Sequence, residues 1–214
     1  MTFETHTWTT PTVFLVDDEQ EVRTTITRAL ELRDYAVQAF ETAEAFLDWY
    51  RPDVPGCLVL DYGMPGMNGL ELQKAMAVRG LSLPIIFLSG HAGVPESVQA
   101  MKGGAMDFLQ KPFRQTALVD AIDKAFARDA ATRERFAKEF EVKEKFDRLT
   151  AREKEIADFI VANPSATSSK HIGRELDISP RTVDHHRARI LEKLEVTSVA
   201  ELITLSGDIT PEED

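Results

Sequence analysis

The first half of the chain alternates short apolar runs with amphipathic stretches. Near-continuous apolar runs predict five strands, at residues 12–16, 36–40, 57–60, 85–88 and 107–109. Apolar residues that recur every three or four positions predict helices over 20–32, 42–50, 69–79, 94–102 and 114–127. Strands that are apolar throughout and alternate with helices are typical of an α/β fold, a doubly wound five-stranded parallel sheet covered on both faces.

The second half shows only helical periodicity. It predicts helices over 150–162, 168–176, 180–194 and 198–205, separated by short polar breaks. Residues 128–147 lack Gly and Pro and are highly charged, so they can continue the fifth helix. We therefore expect an α/β domain (1–127), a helical linker (128–147), a small all-α domain (148–205) and an acidic tail (206–214).

A partial heptad pattern runs from the fifth predicted helix into the linker. Its apolar positions are Val119, Ile122, Phe126, Phe136 and Phe140, and the same seam contains Asp129, Arg133 and Lys143. Charged residues on the seam disfavour a long coiled coil. We expect a solvated helical linker with some contact between copies.

Charge and cysteine content narrow the class of protein. The net charge is −11, but residues 1–127 hold 17 acidic and 10 basic side chains, whereas residues 148–205 hold 9 of each. The acidity therefore does not exclude nucleic-acid binding by the second half. The one cysteine, Cys57, cannot form an internal disulfide, and no secretory signal or bilayer-spanning apolar run is visible. We expect a cytoplasmic protein with no membrane partner.

Acidic residues follow two predicted strands. Asp17 and Asp18 end the first strand, with Glu19 after them, and Asp61 ends the third. The carboxyl ends of parallel strands share one edge of the sheet, so these carboxylates converge. Like charges held that close require a cation or raise one another's pKa, and a hard divalent ion takes oxygen ligands.

Two further polar residues reach the same edge, because Ser89 and Lys111 end the fourth and fifth strands. A carboxylate nucleophile, a divalent ion, a hydroxyl and an ammonium suit phosphoryl transfer onto a carboxylate. Any one of these residues alone is more often only a cap or a surface charge. Their joint occurrence on successive strand ends favours the functional interpretation.

The segments VFLVDDE, LDYGMPGMNGLEL, IIFLSGH and GAMDFLQKPF resemble the receiver domain of response regulators over residues 12–125. The resemblance implies that Asp61 accepts phosphate from a sensor histidine kinase and that Lys111 pairs with the phosphoryl group. It also implies a Mg²⁺ (or Mn²⁺) cofactor bound by Asp18, Asp61 and the Gly63 carbonyl, which Asp17 orients through water.

The same resemblance implies a switch, in which Ser89 moves toward the phosphoryl group and Phe108 rotates into the space vacated. The peptide bond before Pro112 is expected to be cis. Many relatives have an aliphatic residue and Arg where this chain has Tyr62-Gly63. Gly63 and His91 occupy positions that tune the phosphate lifetime in this family, and for His91 a shielding or surface role is favoured over acid–base chemistry.

Residues 180–194 predict a two-sided helix. Its apolar side carries Val183, Ile190, Leu191 and Leu194, and its cationic side carries Arg181, His185 and Arg189. This pattern fits a helix that lies in the DNA major groove, although a basic surface helix alone gives the same pattern. Arg187 falls near the apolar edge and is expected to pair or stack. Ser179 is the predicted N-cap and Pro180 the first helical residue.

The segments LTAREKEIADFIV and IGRELDISPRTVDHHRARILEKLEVTSVAELI resemble the DNA-binding domain of the LuxR/NarL/FixJ class over residues 149–205. By that resemblance the candidates for base contacts are Thr182, His185 and Arg189, and those for phosphate contacts are Lys170, Arg181 and Lys193. Asp184 is a candidate to read cytosine or to exclude other bases. The candidates for dimerisation are Val199, Leu202 and Ile203, whose alternative role is core closure.

These observations predict a FixJ-like transcriptional regulator that forms a homodimer and binds promoter DNA when Asp61 is phosphorylated, with RNA polymerase as a further candidate partner. The alternative is a phosphate sink whose C-terminal domain binds protein, which the balanced charge of that domain leaves open. A catalytic output domain is disfavoured because residues 148–205 contain no metal-binding cluster and no Gly-rich phosphate loop. We expect the protein not to be an enzyme.

Overall fold

The computed structural model describes residues 10–90 and 94–207, and the side chains of Val94 and Pro95 are not described. The chain divides into two compact units that meet in the sequence between Thr132 and Arg133. The strands are β1 (Thr12–Val16), β2 (Ala36–Phe40), β3 (Gly56–Asp61), β4 (Ile85–Ser89) and β5 (Asp107–Gln110). The helices are α1 (Gln20–Glu31), α2 (Ala43–Trp49), α3 (Gly69–Val78), α4 (Val94–Lys102), α5 (Gln115–Asp147), α6 (Ala151–Ala162), α7 (Ser169–Glu175), α8 (Pro180–Leu194) and α9 (Val199–Gly207).

The five strands form one parallel sheet with the order β2-β1-β3-β4-β5. The three inner strands are buried along their whole length, which explains why their sequences are apolar apart from Thr12 at the start of β1 and the terminal Asp61 and Ser89 of β3 and β4. Alternate residues of β1 face different cores: Phe14 packs with side chains of α2 and α3, and Leu15 packs with side chains of α1 and α5. The predicted α/β fold is confirmed.

Side-chain caps fix the starts of several helices. Thr42 accepts a hydrogen bond from the backbone N–H of Ala45 (3.1 Å) and is the N-cap of α2. Asn68 and Glu71 form a capping box at the start of α3. The capping box and the hydrogen bond from the Gly69 N–H to the Tyr62 carbonyl (3.2 Å) join the loop after β3 to the first turn of α3.

The first turn of the predicted linker packs against the α/β unit. α5 is one continuous helix of 33 residues, and residues 128–147 are helical as predicted. Asp129 is 2% exposed, and its Oδ2 accepts a hydrogen bond from the backbone N–H of Gly56 (2.9 Å), where β3 begins. By contrast Phe136 and Phe140, further along the helix, are 49% and 64% exposed. The α/β unit therefore extends at least one helical turn beyond residue 127.

The C-terminal unit has its own core, made by buried residues of α6 to α9. Gly173 in α7 allows α7 and α8 to lie close together, because a Cβ there would come within 2.6 Å of the Ile178 carbonyl oxygen. Asp177 makes the turn between them with a left-handed backbone (φ 53°). α9 ends at Gly207, and residues 208–214 of the predicted acidic tail lie outside the described residues.

Candidate functional site

One ammonium group bridges two carboxylates at the carboxyl edge of the sheet. Lys111 Nζ donates to Asp17 Oδ2 (2.7 Å) and to Asp61 Oδ1 (2.6 Å). Asp17 follows β1, Asp61 ends β3 and Lys111 follows β5, so the order of the strands brings together three residues separated by up to 94 positions. The convergence predicted from the strand ends is present.

The site is buried and holds an excess of negative charge. The Asp17 side chain is fully buried, and that of Asp61 is 10% exposed. Burial raises the pKa of Asp17, and its bonds to Lys111 and to the Glu19 N–H do not fully offset this effect. Burial alone would lower the pKa of Lys111, but its bonds to both carboxylates raise it. A second cation would relieve the remaining repulsion between the carboxylates.

The residues at this site match a divalent ion in the type of ligand that they offer. Asp17, Asp61 and the half-buried Asp18 supply the carboxylate oxygens that Mg²⁺ prefers. Within residues 10–90 and 94–207, no three His, Cys, Asp or Glu side chains are arranged to hold a metal.

The loop after β3 carries no side chain at Gly63, next to the mostly buried Asp61 carboxylate. The Gly63 N–H donates to Asp61 Oδ2 (2.9 Å), so both oxygens of this carboxylate are oriented. Gly63 is exposed, and a Cβ there would lie 3.8 Å from Asp61 Oδ2, at ordinary contact distance. The absence of a side chain at this position leaves open the approach that an Arg would cover in the related pattern.

The predicted switch residues lie on β4 and β5, the two strands that follow β3 in the order of the sheet. Ser89 is 4% exposed at the end of β4, and its carbonyl oxygen accepts from the Lys111 N–H (2.7 Å). Phe108 in β5 is partly buried and stacks on Phe87. The Lys111–Pro112 peptide bond is cis, as the resemblance implied. His91 lies outside the described residues.

In the C-terminal unit, α8 has the two faces that its sequence predicted. Val183, Ile190 and Leu194 are fully buried. The predicted contact residues Lys170, Arg181, His185 and Arg189 are exposed. Ser179 accepts from the Thr182 N–H (3.1 Å) and Pro180 begins the helix, which confirms the predicted cap. The Thr182 hydroxyl, also a predicted base contact, is hydrogen bonded to Ser179 Oγ (2.7 Å).

Two predicted polar residues of α8 make contacts with α7. Arg187 donates to the Thr167 carbonyl and to Ser169 Oγ (both 3.1 Å), so it pairs within the domain as expected. The exposed Asp184 accepts a hydrogen bond from the same Ser169 hydroxyl. These bonds fix the orientation of α8 on α7 and give Asp184 a structural partner besides the base contact predicted for it.

Lys193 requires a correction. Its Nζ donates to Glu153 Oε2 (2.6 Å) and to the Arg148 carbonyl (3.1 Å). Glu153 is 1% exposed, and its bonds to Lys193 and to the Thr150 N–H lower its pKa to about 2. A phosphate contact by Lys193 would have to break an ion pair whose acidic member is buried. The structure therefore gives Lys193 a role inside the domain.

Leu202 requires a second correction, because it is 1% exposed and belongs to the core of the C-terminal unit. A buried side chain cannot form a dimer surface without opening the core, so Leu202 has the alternative role of core closure. Val199 and Ile203 are partly buried against the same core.

Sequence reasoning missed Glu153, Asp129 and Tyr62 as organising residues. Glu153 left a local signal, since Thr150 and Glu153 form the capping box that the pattern Thr-x-x-Glu predicts. Its pairing with Lys193, 40 residues away, left none. Asp129 lies in a charged stretch where nothing marks one acidic residue as buried. Tyr62 was noted only as a departure from the related pattern.

Comparison with known proteins agrees with this geometry. Residues 13–123 match the family described as the response regulator receiver domain, and residues 147–206 match the bacterial regulatory proteins of the luxR family. The chain belongs to the response regulators that join a receiver domain to a LuxR-type DNA-binding domain.

Similar proteins share this arrangement over nearly their whole length. The transcriptional regulatory protein TdiR of Thauera aromatica is 43% identical, over 93% of this chain and 86% of the relative. The transcriptional regulatory protein FixJ of Rhizobium meliloti (strain 1021) is 37% identical, over 94% of this chain and 98% of the relative. The solved structure of the response regulator StyR, 38% identical, superposes with a TM-score of 0.82 and covers 92% of this chain and 98% of its own.

Membership of this family sets the general function. The relatives are transcriptional regulators of two-component systems and not classical enzymes, and the two domains imply a kinase partner and a DNA partner. Receiver domains generally bind Mg²⁺ at the phosphorylation site. None of the described helices is both long enough and apolar enough to cross a membrane.

Proposed function

We propose that this chain is a transcriptional regulator in which Asp61 accepts a phosphoryl group from a sensor histidine kinase, and that phosphorylation promotes dimerisation and binding to promoter DNA. The observation that carries the proposal is the bridge from Lys111 Nζ to both Asp17 and Asp61. It places a nucleophilic carboxylate, a permanent cation and a second carboxylate within one buried site.

Each residue of the site has a separate role in the proposed phosphoryl transfer. An oxygen of Asp61 attacks phosphorus, and the bond from phosphorus to the donor's nitrogen or oxygen breaks. In this proposal Lys111, which donates to Asp61 Oδ1, pairs with the transferred group, and the donor approaches past the exposed Gly63. Asp17, Asp18, Asp61 and the Gly63 carbonyl would hold Mg²⁺, which when bound neutralises charge on the transferring oxygens.

Phosphorylation changes the bonding of the site, because one oxygen of Asp61 becomes part of an acyl phosphate and Lys111 gains a new anionic partner. The Ser89 hydroxyl would turn toward that anion, and Phe108 would follow into the space beside it. We infer that this rearrangement alters the face made by α4, β5 and α5, through which two receivers pair. RNA polymerase is a further candidate partner once the dimer is on DNA.

The two faces of α8 in the C-terminal unit support DNA as the binding partner. α8 exposes Arg181, His185 and Arg189 on one side and buries Val183 and Ile190 on the other. This arrangement fits insertion of the exposed side into the major groove, with two such helices meeting half-sites about one DNA turn apart. We propose base contacts for Thr182, His185 and Arg189, and phosphate contacts for Lys170 and Arg181.

The proposal is tested by treating the full chain with acetyl phosphate and MgCl₂. We expect wild type to gain one phosphoryl group in its intact mass, to dimerise in sedimentation velocity, and to shift fragments selected from the genome of its source. Asp61→Asn removes the nucleophile and should fail in all three assays, while the thermal unfolding temperature stays near that of wild type. Dimerisation of Asp61→Asn with active kinase would count strongly against the mechanism.

The same measurements separate the alternative of a phosphate sink. The charges of residues 148–205 balance, so a domain that serves protein binding predicts phosphorylation without retention of DNA at any salt concentration. A DNA-binding domain instead predicts affinity that falls steeply with salt, because cations are released from the phosphates.

A further inference from the structure

Three aromatic side chains, Tyr62, Phe87 and Phe108, form what we call the aromatic triangle beside the proposed acceptor. The ring centroid of Tyr62 lies 6.2 Å from that of Phe87 and 6.3 Å from that of Phe108, with interplanar angles of 62° and 65°. Phe87 and Phe108 stack at 6.2 Å and 28°. All three distances are in the range of favourable aromatic pairs. Each ring therefore contacts the other two.

Backbone hydrogen bonds hold Tyr62, the residue after Asp61, between β4 and the start of α3. The Tyr62 N–H donates to the Leu88 carbonyl (2.8 Å), and the Tyr62 carbonyl accepts from the Gly69 N–H (3.2 Å). A Cβ at Gly69 would lie 2.6 Å from the Asp61 carbonyl oxygen and 2.8 Å from the Phe87 ring. This lack of space means that the loop, the start of α3 and the triangle fit together only with glycine at position 69.

Burial falls across the triangle from its centre to the surface. Phe87 is fully buried, whereas Tyr62 and Phe108 pack on the core and remain partly accessible. Tyr62 and Phe108 are therefore the rings with room to move, and movement of either alters the contact between them. Burial raises the pKa of Tyr62, and the carboxylate of Glu96, in the first turn of α4, raises it further.

We propose that Tyr62 is a positioning residue for the switch: its ring holds Phe108 in the position seen here, so that displacement of the loop after Asp61 is passed to Phe108 directly. The proposal rests on the proposed function, because it takes Asp61 as the phosphorylated residue. By this route the change at Asp61 reaches Phe108 without a movement of Ser89. Where many relatives have an aliphatic residue, this chain has an aromatic ring in contact with the switch.

Fluorine NMR of the full chain, labelled with 3-fluorotyrosine, tests the contact itself. The chain has 3 tyrosines, and Tyr62→Phe identifies the resonance of Tyr62. We expect acetyl phosphate with MgCl₂ to shift this resonance while that of Tyr50, in the core beside Phe14, stays in place. In Phe108→Leu the phosphorylation shift of Tyr62 should be markedly smaller. An equal shift in wild type and Phe108→Leu would overturn the proposal.

A double-mutant cycle tests the energetic coupling through the initial rate of phosphorylation by acetyl phosphate. Aromatic pairs of this geometry correspond to about a threefold to tenfold change in an equilibrium, so Tyr62→Leu should raise the rate by about that factor in wild type. In the Phe108→Leu background the same change should alter the rate less than about twofold. Additive effects would overturn the coupling. Tyr62→Phe keeps the ring and should retain the wild-type rate. This result would show that the change in rate in Tyr62→Leu comes from loss of the aromatic ring.

Intact mass separates the two levels of the hypothesis. If wild type gains no phosphoryl group from acetyl phosphate or kinase, the proposed function and this inference both fail. If wild type is phosphorylated but Tyr62 and Phe108 act additively, only the inference fails. Tyr35→Phe, which removes a hydroxyl bonded to Asp123 far from the triangle, is the matched control and should leave the rate unchanged.

Discussion

Replacing Lys193 by Met should destabilise the C-terminal unit. Lys193 Nζ is 2.6 Å from Glu153 Oε2, and the Glu153 side chain is 2% exposed. The pKa of Glu153 is lowered from 4.5 to about 2, chiefly by this bond and next by the Thr150 N–H. At about 1.4 kcal/mol per pKa unit, the contacts of Glu153 together stabilise the fold by at most about 3 kcal/mol.

The share of Lys193 is smaller, because its side chain is 32% exposed and solvent screens the pair. We expect Lys193→Met to lower the free energy of unfolding of the C-terminal unit by about 1–2 kcal/mol. For a unit of this size, each kcal/mol corresponds to a fall of about 4–8 °C in Tm. Lys154→Met removes an exposed lysine from α6 and is the matched control.

Calorimetry of the full chain measures the effect. Both tryptophans and all three tyrosines precede residue 63, so the tryptophan and tyrosine bands of near-ultraviolet circular dichroism follow the α/β unit and should not change. The stabilisation due to Glu153 is fully present above about pH 4.5 and is lost as the pH falls toward 2, because a folded-state pKa below the unfolded one favours the ionised form. Glu153→Gln should abolish that pH dependence. An unchanged Tm for Lys193→Met, together with a salt slope of DNA binding reduced by about one, would refute the reasoning and restore Lys193 as a phosphate contact.

Three further predictions concern other parts of the molecule. Leu202→Ala should lower the free energy of unfolding by about 2–5 kcal/mol in calorimetry, because it empties part of a core; unchanged stability with a weaker dimer would instead make it an interface residue. Arg189→Ala should weaken specific DNA binding by about 1–3 kcal/mol at fixed salt, whereas equal loss on all sequences would indicate a phosphate contact. Gly69→Ala should destabilise the α/β unit by about 1–3 kcal/mol in chemical denaturation, since its Cβ would meet the Asp61 carbonyl at 2.6 Å; wild-type stability would show that the loop can adjust.

Local sequence predicted the elements of the fold closely. Every described strand and helix begins and ends within two residues of its prediction, except that α5 runs without interruption through the linker. Apolar periodicity and caps such as Thr42 and Ser179 depend on neighbouring residues, so the sequence contains their signal. The convergence of Asp17, Asp61 and Lys111 followed from strand order, which the alternation of strands and helices implies.

Pairings that depend on side-chain direction could not be predicted. Lys193 falls on the accessible side of an amphipathic pattern, yet its long side chain reaches back to a buried carboxylate in another helix. Leu202 fits a core and a dimer surface equally well, because both take apolar side chains. The aromatic triangle required the distances between neighbouring strands, although each of its rings was visible in the sequence.

The hydrogen bond between Asp129 and Gly56 has a practical consequence for protein engineering. A chimaera that fuses this phosphorylation module to a foreign effector at residue 127 would delete the carboxylate that holds the amino end of β3, the strand whose other end carries Asp61. We expect the sheet of such a fusion to be less stable, because the hydrogen bond to Gly56 is lost with any effector domain. A joint placed after Thr132 keeps that anchor and is the better cutting point for modular sensors built from this chain.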